Sequence, residues 1–155
     1  MTVRFRVAGP EDVPAVLALL REDHLGAERE TAPDALYQMM FSRIDREAHV
    51  RLVVGQLEGE IVACYQLTAL DGLSHKAIRR GQIEDVRVAE RLRGQGIGHQ
   101  MMADAEARAR DMGCGLLQLV AHHTREDTHR FYMSNGFTPY HVGFKRTLSN
   151  AGDQE

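Results

Sequence analysis

Glu84-Asp85-Val86-Arg87-Val88, a short link, Arg93-Gly94-Gln95-Gly96-Ile97-Gly98 and the run from His99 to Gly113 decide how this chain folds. Val86 and Val88 read as the end of a strand. Glycines at 94, 96 and 98 leave no side chains between the backbone and a ligand. His99 to Met112 holds neither Pro nor Gly, and Met101, Met102, Ala105, Ala109 and Met112 fall on one helical face. Gly113 is the expected stop. A strand, a glycine-rich turn and a helix start together make an anion cradle. Its N–H groups point outward, and the helix dipole favours a diphosphate there.

The chain has 155 residues, 43% of them hydrophobic, which suits one domain with a real core. Nineteen basic and 22 acidic residues give a net charge of −3, which argues against nucleic acid as the main partner. No apolar run approaches membrane length, so no membrane partner is expected. The start, Met1-Thr2-Val3-Arg4-Phe5-Arg6, lacks a secretory apolar core. Cys64 and Cys114 form no disulfide framework and no spaced metal set, and they read as small buried hydrophobes. A cytoplasmic location is the expectation.

Outward from the cradle, Val3 to Val7 alternates as a half-buried strand. Asp12, with Pro14 after it, is placed to cap a helix that carries Val16, Leu17, Leu19 and Leu20. Residues 21–31 are polar and read as a loop. Thr31 and Pro33 start a second helix with Leu36, Met39, Met40 and Ile44. Val50 to Leu57 and Ile61 to Leu70 read as strands about a Glu58-Gly59 turn. Residues 71–80 read as a polar loop, and Gly81 to Val88 as the strand entering the cradle. Leu116 to Ala121 reads as a buried strand. Thr124 and Asp127 match a capping box for a helix that stops at Asn135-Gly136. Phe137 to Leu148 reads as a final bent strand or hairpin. The order is an α/β sandwich with a mixed, mostly antiparallel central sheet flanked by helices, in a single domain. That domain covers residues 1–148, and 149–155 read as a frayed tail.

Spacing separates the families that use such a cradle. A P-loop ends in Gly-Lys-Ser/Thr, whereas Gly98 is followed by His99-Gln100. A dinucleotide fold needs G-x-G-x-x-G early in a βαβ unit. The pattern that fits is Arg-x-x-Gly-x-Gly, at Arg93 to Gly98. It resembles the acetyl-CoA signature of the GNAT (Gcn5-related) N-acetyltransferases. A second block, Thr128-His129-Arg130-Phe131-Tyr132-Met133-Ser134-Asn135-Gly136-Phe137, resembles the family's Ala-x-x-Phe-Tyr-x-x-x-Gly-Phe, with Thr128 in the Ala position. The tail Tyr140-His141-Val142-Gly143-Phe144-Lys145 resembles a bacterial small-molecule branch that includes aminoalkylphosphonate acetyltransferases.

The resemblance implies acetyl-CoA as co-substrate and no metal. It implies that Val86, Arg87, Val88, Arg93, Gly94, Gln95, Gly96, Ile97, Gly98, His99 and Phe131 bind acetyl-CoA. Val86 and Val88 would pair with pantetheine through their backbones, as an added strand does. A backbone N–H near Val86 would face the oxyanion. Tyr132 takes the role of the acid that protonates the leaving thiolate. An alkyl amine is mostly protonated at neutral pH, with a pKa of roughly 10, so it must lose a proton before attack. Glu84 is the expected base because it shares strand parity with Val86 and Val88, unless a bulge intervenes; Asp85 is the alternative. His122, His123 and His129 have no metal-site spacing. His141 stays open between a pocket role and a structural one. The expected reaction is direct acetyl transfer to a primary amine of a small molecule. Protein N-terminal or lysine acetylation and a non-catalytic acyl-CoA-binding module are the alternatives. Dimers are frequent in the family, so a homodimer is also open.

Overall fold

Alternation of apolar residues builds five strands: β1 (Arg4–Val7), β2 (Val50–Leu57), β3 (Glu60–Leu70), β4 (Arg79–Val88) and β5 (Cys114–Leu119). The computed structural model describes residues 1–122 and 125–148, in two compact units divided after Leu119. All five strands lie in the first unit and form one open sheet in the order β1-β2-β3-β4-β5. β1 to β4 pair antiparallel, and β4 pairs with β5 in parallel. The mixed, mostly antiparallel sheet is the expected one.

β3 is the central strand, and Val62, Ala63, Cys64 and Tyr65 are all buried in sequence. Successive residues on a strand point to opposite faces, so both faces of β3 are covered. Helices α1 (Val13–Leu20), α2 (His24–Arg29), α3 (Asp34–Arg46) and α4 (Ile97–Asp111) complete this unit. α1 packs on β3 and β4, α3 on β2, and α4 on β3, β4 and β5. α4 buries Ile97, Met101, Met102, Ala105 and Ala109, nearly the predicted stripe. Burying an Ile or Met side chain of this kind contributes about 1.5–3 kcal/mol. The Tyr65 hydroxyl donates to Asp104 of α4, and Arg108 Nε donates to the same carboxylate at 2.8 Å. Arg108 also reaches the Phe5 carbonyl of β1 at 3.3 Å. Gln100 accepts from the Val3 N–H and donates to the Met1 carbonyl, 3.0 Å each. α4 is thus tied by polar side chains to β1 and β3.

Several expectations change. Asp23 Oδ1 accepts from the Gly26 N–H at 2.6 Å and starts α2 inside the presumed loop 21–31. α3 buries only Phe41; Leu36, Met39 and Met40 stay 45–47% exposed. β4 starts at Arg79 and β5 at Cys114, because the two pair from those residues onward. A short helical turn, Ser74–Ala77, interrupts the polar loop, with His75, Lys76 and Ala77 in the left-handed region. The second unit carries α5 (Glu126–Ser134), and no strand forms in 137–148. The apolar residues of that segment, Tyr140, Val142 and Phe144, alternate as a strand would and are exposed. Thr124 of the presumed capping box, and residues 149–155, lie outside the described residues.

Asp12 does not cap α1 with its side chain. Its carboxylate turns back to β1, where Arg6 donates twice, at 2.7 and 2.9 Å, and the Gly9 N–H once, at 2.8 Å. The Arg6 guanidinium holds the Asp12 carboxyl below its ordinary range; burial opposes this, and the Gly9 N–H adds to the lowering. A carboxyl with a lowered folded pKa adds stability above its unfolded pKa, about 3.9, and loses it as pH falls through the folded pKa. Asp12→Asn is therefore expected to cost about 1.5–3 kcal/mol at pH 7, the scale of hydrogen bonds to a charged group. The gap between wild type and variant should close as the solution is taken below about pH 4. Urea unfolding at a series of pH values measures it, and a gap independent of pH would contradict the assignment.

Candidate active site

The strand that enters the cradle is not regular. Glu84 pairs with Gln66 and Arg87 with Cys64, so two residues, Asp85 and Val86, face the single Tyr65 of β3. This is a β-bulge, and Asp85 takes its left-handed position at φ 53°. Asp is among the few non-glycine residues that tolerate this region. The bulge overturns the parity argument. Cross-strand partners share a face. Glu84 and Arg87 therefore lie on one face, opposite Gln66 and Cys64, while Val88 lies opposite Ala63 on the face that α4 covers. Glu84 and Asp85 are both exposed.

β4 loses its parallel neighbour midway. Its register with β5 ends at Ile83 opposite Leu119, yet β4 continues to Val88. Among the described residues no strand pairs with β4 on that side beyond Ile83. Arg87 Nη1 donates to the Val86 carbonyl at 2.9 Å, and its Nε is buried with no hydrogen-bond partner among the described residues. A buried orphan donor at the strand end suits an acceptor atom brought by a ligand.

The chain leaves Val88 through a single turn of 3-10 helix, Glu90–Leu92, and buried Leu92 anchors it. Arg93 Nε lies 3.3 Å from the Val88 carbonyl, and Gln95 Nε2 3.3 Å from the Arg91 carbonyl. Gly94 and Gly96 have φ 74° and 85°, where an L side chain is strained. A Cβ on either would meet nothing within 4 Å, so the turn opens outward. Gly96 is the N-cap of α4 and supplies no side-chain cap. The N-cap residue thus offers the first N–H groups, those of Ile97 and Gly98, no side-chain acceptor. Ile97 is buried and pins the helix start, and His99 is exposed. Arg93, Gly94, Gln95, Gly96, Ile97 and Gly98 thus form one continuous loop-to-helix turn directly after the free edge of β4. These groups fit a diphosphate-bearing ligand.

Phe131 and Tyr132 lie in the second unit, on α5. The helix ends in a Schellman motif: the Phe137 N–H donates to the Tyr132 carbonyl and the Gly136 N–H to the Met133 carbonyl, 3.1 Å each. Gly136 supplies the required positive φ, 87°. The accompanying apolar contact is Phe137 edge-on against the Tyr132 ring, with centroids 5.8 Å apart, and the Phe131 ring also meets it edge-on, at 5.2 Å. The Phe-Tyr-x-x-x-Gly-Phe spelling is thus a device that stops the helix and holds one tyrosine ring. His129 Nε2 lies 3.0 Å from the His122 carbonyl. His141 is exposed, edge-on to Tyr140.

Cys64 is fully buried, and burial pushes its thiol up to about 12, with Arg87 opposing and Asp85 adding. It is a thiol 3.6 Å from the Asp85 carbonyl, not a nucleophile. Cys114 is half-buried rather than buried. No group of three or more His, Cys, Asp or Glu placed to hold a metal ion occurs among the described residues. No described helix is long and apolar enough to cross a membrane. Two residues joined to Glu84 that the sequence does not single out are Gln82 and Gln118. Gln82 Nε2 donates to Glu84 Oε1 at 3.3 Å, and Gln118 Nε2 to Gln82 Oε1 at 2.6 Å. The spacing of Gln82 and Glu84 was visible; the contact with Gln118 needs the parallel pairing.

Comparison with known proteins agrees with this geometry. The model of the Acetyltransferase (GNAT) family matches residues 13–137. An aminoalkylphosphonate N-acetyltransferase of Salmonella typhimurium is 36% identical over 105 residues, 68% of this chain and 66% of that relative. The chain thus spans just under two thirds of that relative's length. The solved structure of a protein described as a transcriptional regulator from Bacillus halodurans C-125 is 34% identical. It has a TM-score of 0.90 over 95% of this chain and 100% of that one. Glucosamine-6-phosphate N-acetyltransferase from Arabidopsis thaliana shares the fold, with 20% identity and a TM-score of 0.78 over 96% of this chain and 99% of that one. Cradle, bulged strand and family match converge: this chain belongs to the GNAT acetyltransferase family.

Proposed function

We propose that this protein is an N-acetyltransferase that moves the acetyl group of acetyl-CoA directly to a primary amine of a small molecule. The observation that carries the reading is the junction of β4 and α4. A strand edge that no described strand covers from Glu84 to Val88 leads into an outward-open glycine turn and a helix start with no side-chain cap from Gly96. The strand edge suits the amide groups of pantetheine, and the turn suits the diphosphate. The aminoalkylphosphonate relative supports a small-molecule acceptor. The exposed Leu36, Met39 and Met40 of α3 offer an apolar wall in the region that the family resemblance puts beside the acceptor.

In this reading Glu84 takes a proton from the acceptor ammonium, directly or through one water. The free amine then attacks the thioester carbonyl carbon, and a C–N bond forms. The carbonyl oxygen becomes an oxyanion, which a backbone N–H near Val86 receives. When the C–S bond breaks, its electron pair leaves on sulfur, and the Tyr132 hydroxyl supplies the proton. The second proton of the original amine passes to solvent from the product nitrogen. Cys64 takes no part, since a thiol pushed up to about 12 carries no thiolate at neutral pH.

The direct test is thiol release from acetyl-CoA over a panel of amino acids, polyamines, amino sugars and aminophosphonates, with acetyl-CoA binding measured by calorimetry alongside. One amine class should give turnover. Binding without release across the panel would instead identify a non-catalytic acyl-CoA-binding module, and release with peptide amines alone a protein acetyltransferase. With the best amine, Glu84→Gln should lower kcat/KM by about a hundredfold or more, the scale of a positioned base. If that loss falls on Asp85→Asn and spares Glu84→Gln, the base is Asp85.

Tyr132→Phe keeps the ring against Phe137 and removes only the hydroxyl. It should lower kcat by about ten- to a thousandfold, at or somewhat below the scale of general acid catalysis. Acetyl-CoA affinity should change much less, since one hydroxyl contributes about 0.5–1.5 kcal/mol net. Steady-state kinetics with parallel binding measurements distinguish the two effects. A kcat near wild type would return Tyr132 to packing.

A further inference from the structure

Arg80, Gln82 and Glu84 stand at alternate positions of β4 on the face away from α4, and Gln118 is the register partner of Gln82 on β5. Their side chains form a row. Arg80 Nη1 lies 3.5 Å from Gln118 Oε1, Gln118 Nε2 is 2.6 Å from Gln82 Oε1, and Gln82 Nε2 is 3.3 Å from Glu84 Oε1. The chemistry of the two ends sets the direction of the row. A guanidinium only donates, and an ionised carboxylate only accepts. Arg80 therefore turns the Gln118 oxygen toward itself. That leaves the Gln118 amide N–H for the Gln82 oxygen, and the Gln82 amide N–H for Glu84. Reversing one amide alone would bring two oxygens or two NH2 groups together.

We infer that Gln82 and Gln118 are positioning residues for the catalytic carboxylate. They hold Glu84 Oε1 by one directed donor, so that Oε2 is presented to the acceptor ammonium. The inference rests on the reading of Glu84 as the base. It explains why two polar amides meet across the parallel pair β4–β5, one register position before that pairing ends. A base on an exposed strand edge has several rotamers, and a fixed donor two residues away selects one of them.

Gln118→Glu tests the direction of the row without touching Glu84. The shape is nearly unchanged, but both oxygens now accept. Gln82 must turn its NH2 toward residue 118, and its oxygen then meets the Glu84 carboxylate. The expected result is a fall in kcat of about tenfold, the scale of one lost hydrogen bond to a charged group. The KM for acetyl-CoA should stay within about twofold, since neither Gln82 nor Gln118 belongs to the edge from Glu84 to Val88 or to the glycine turn that the reading gives to acetyl-CoA. Gln82→Met removes the amide outright and should lower kcat by a similar factor. In the double variant no amide is left to turn, so Gln118→Glu should add nothing to Gln82→Met. Independent losses that multiply in the double variant, or single variants with wild-type kcat, would overturn the proposal. Should Gln118→Glu not fold, Arg80→Met frees Gln118 to turn, and its loss should likewise vanish in the Gln82→Met background. Glu84→Gln separates the two levels. Full activity in that variant removes the base reading, and this inference with it. A collapse of activity there, with Gln82→Met and Gln118→Glu at wild-type kcat, removes only the positioning role.

Discussion

A parallel strand that ends early governs this molecule. β5 accompanies β4 only as far as Ile83, and the next five residues of β4 run on with an edge that no described strand covers. An uncovered edge carries backbone donors and acceptors that must be satisfied by something. In an isolated sheet this would invite aggregation. Here the edge leads within a few residues into a helix start that Gly96 does not cap with a side chain, so both sets of backbone groups lie in one short stretch of chain. Backbone rather than side chains makes the cradle, which is why the turn is spelled with glycine and tolerates exposed neighbours such as Arg93 and Gln95.

The bulge opposite Tyr65 changes what the edge presents. One extra residue on β4 moves Glu84 onto the face of Arg87 and puts Val88 on the other. Asp85 absorbs the irregular backbone at φ 53°, and its carbonyl lies 3.6 Å from the Cys64 thiol below. The same β3 segment is pinned from the other side by the Tyr65 hydroxyl on Asp104, which Arg108 also binds. Burial, and then the Asp104 hydrogen bond, push the Tyr65 hydroxyl well above its ordinary pKa. It therefore remains a donor, and the helix that starts at the cradle stays tied to the strand that faces the bulge. A satisfied buried network of this kind rigidifies its surroundings more than apolar packing alone.

In the second unit the logic is local. Gly136 ends α5, and the Phe137 side chain folds back on the Tyr132 ring. Backbone stop and ring contact come from the same two residues, which sit next to one another just past the helix end.

That locality explains what the sequence alone determined. The glycine turn, the helix from Ile97, the Asn135-Gly136 stop and the hairpin at Glu58-Gly59 each depend on neighbours within a few residues, so propensity and periodicity suffice to read them. The strand readings likewise fall within two residues of all five strands, and the family motifs point to the turn and helix start proposed as the site. Contacts across the chain were decided only by tertiary structure. Asp12 looked like a cap, but Arg6 of the neighbouring strand offers its carboxylate two charged donors, and those outweigh one backbone N–H. Leu36, Met39 and Met40 are among the apolar residues that the sequence offers on this helix, yet Phe41 is the one that α3 buries. Tyr140, Val142 and Phe144 alternate, yet they are exposed and pair with no strand among the described residues. The side of β4 that carries Glu84 depended on one unpaired residue at the bulge, and the Gln82–Gln118 contact on a register 36 residues apart in sequence. Register is set by what lies across the sheet, and a single strand read alone does not contain it.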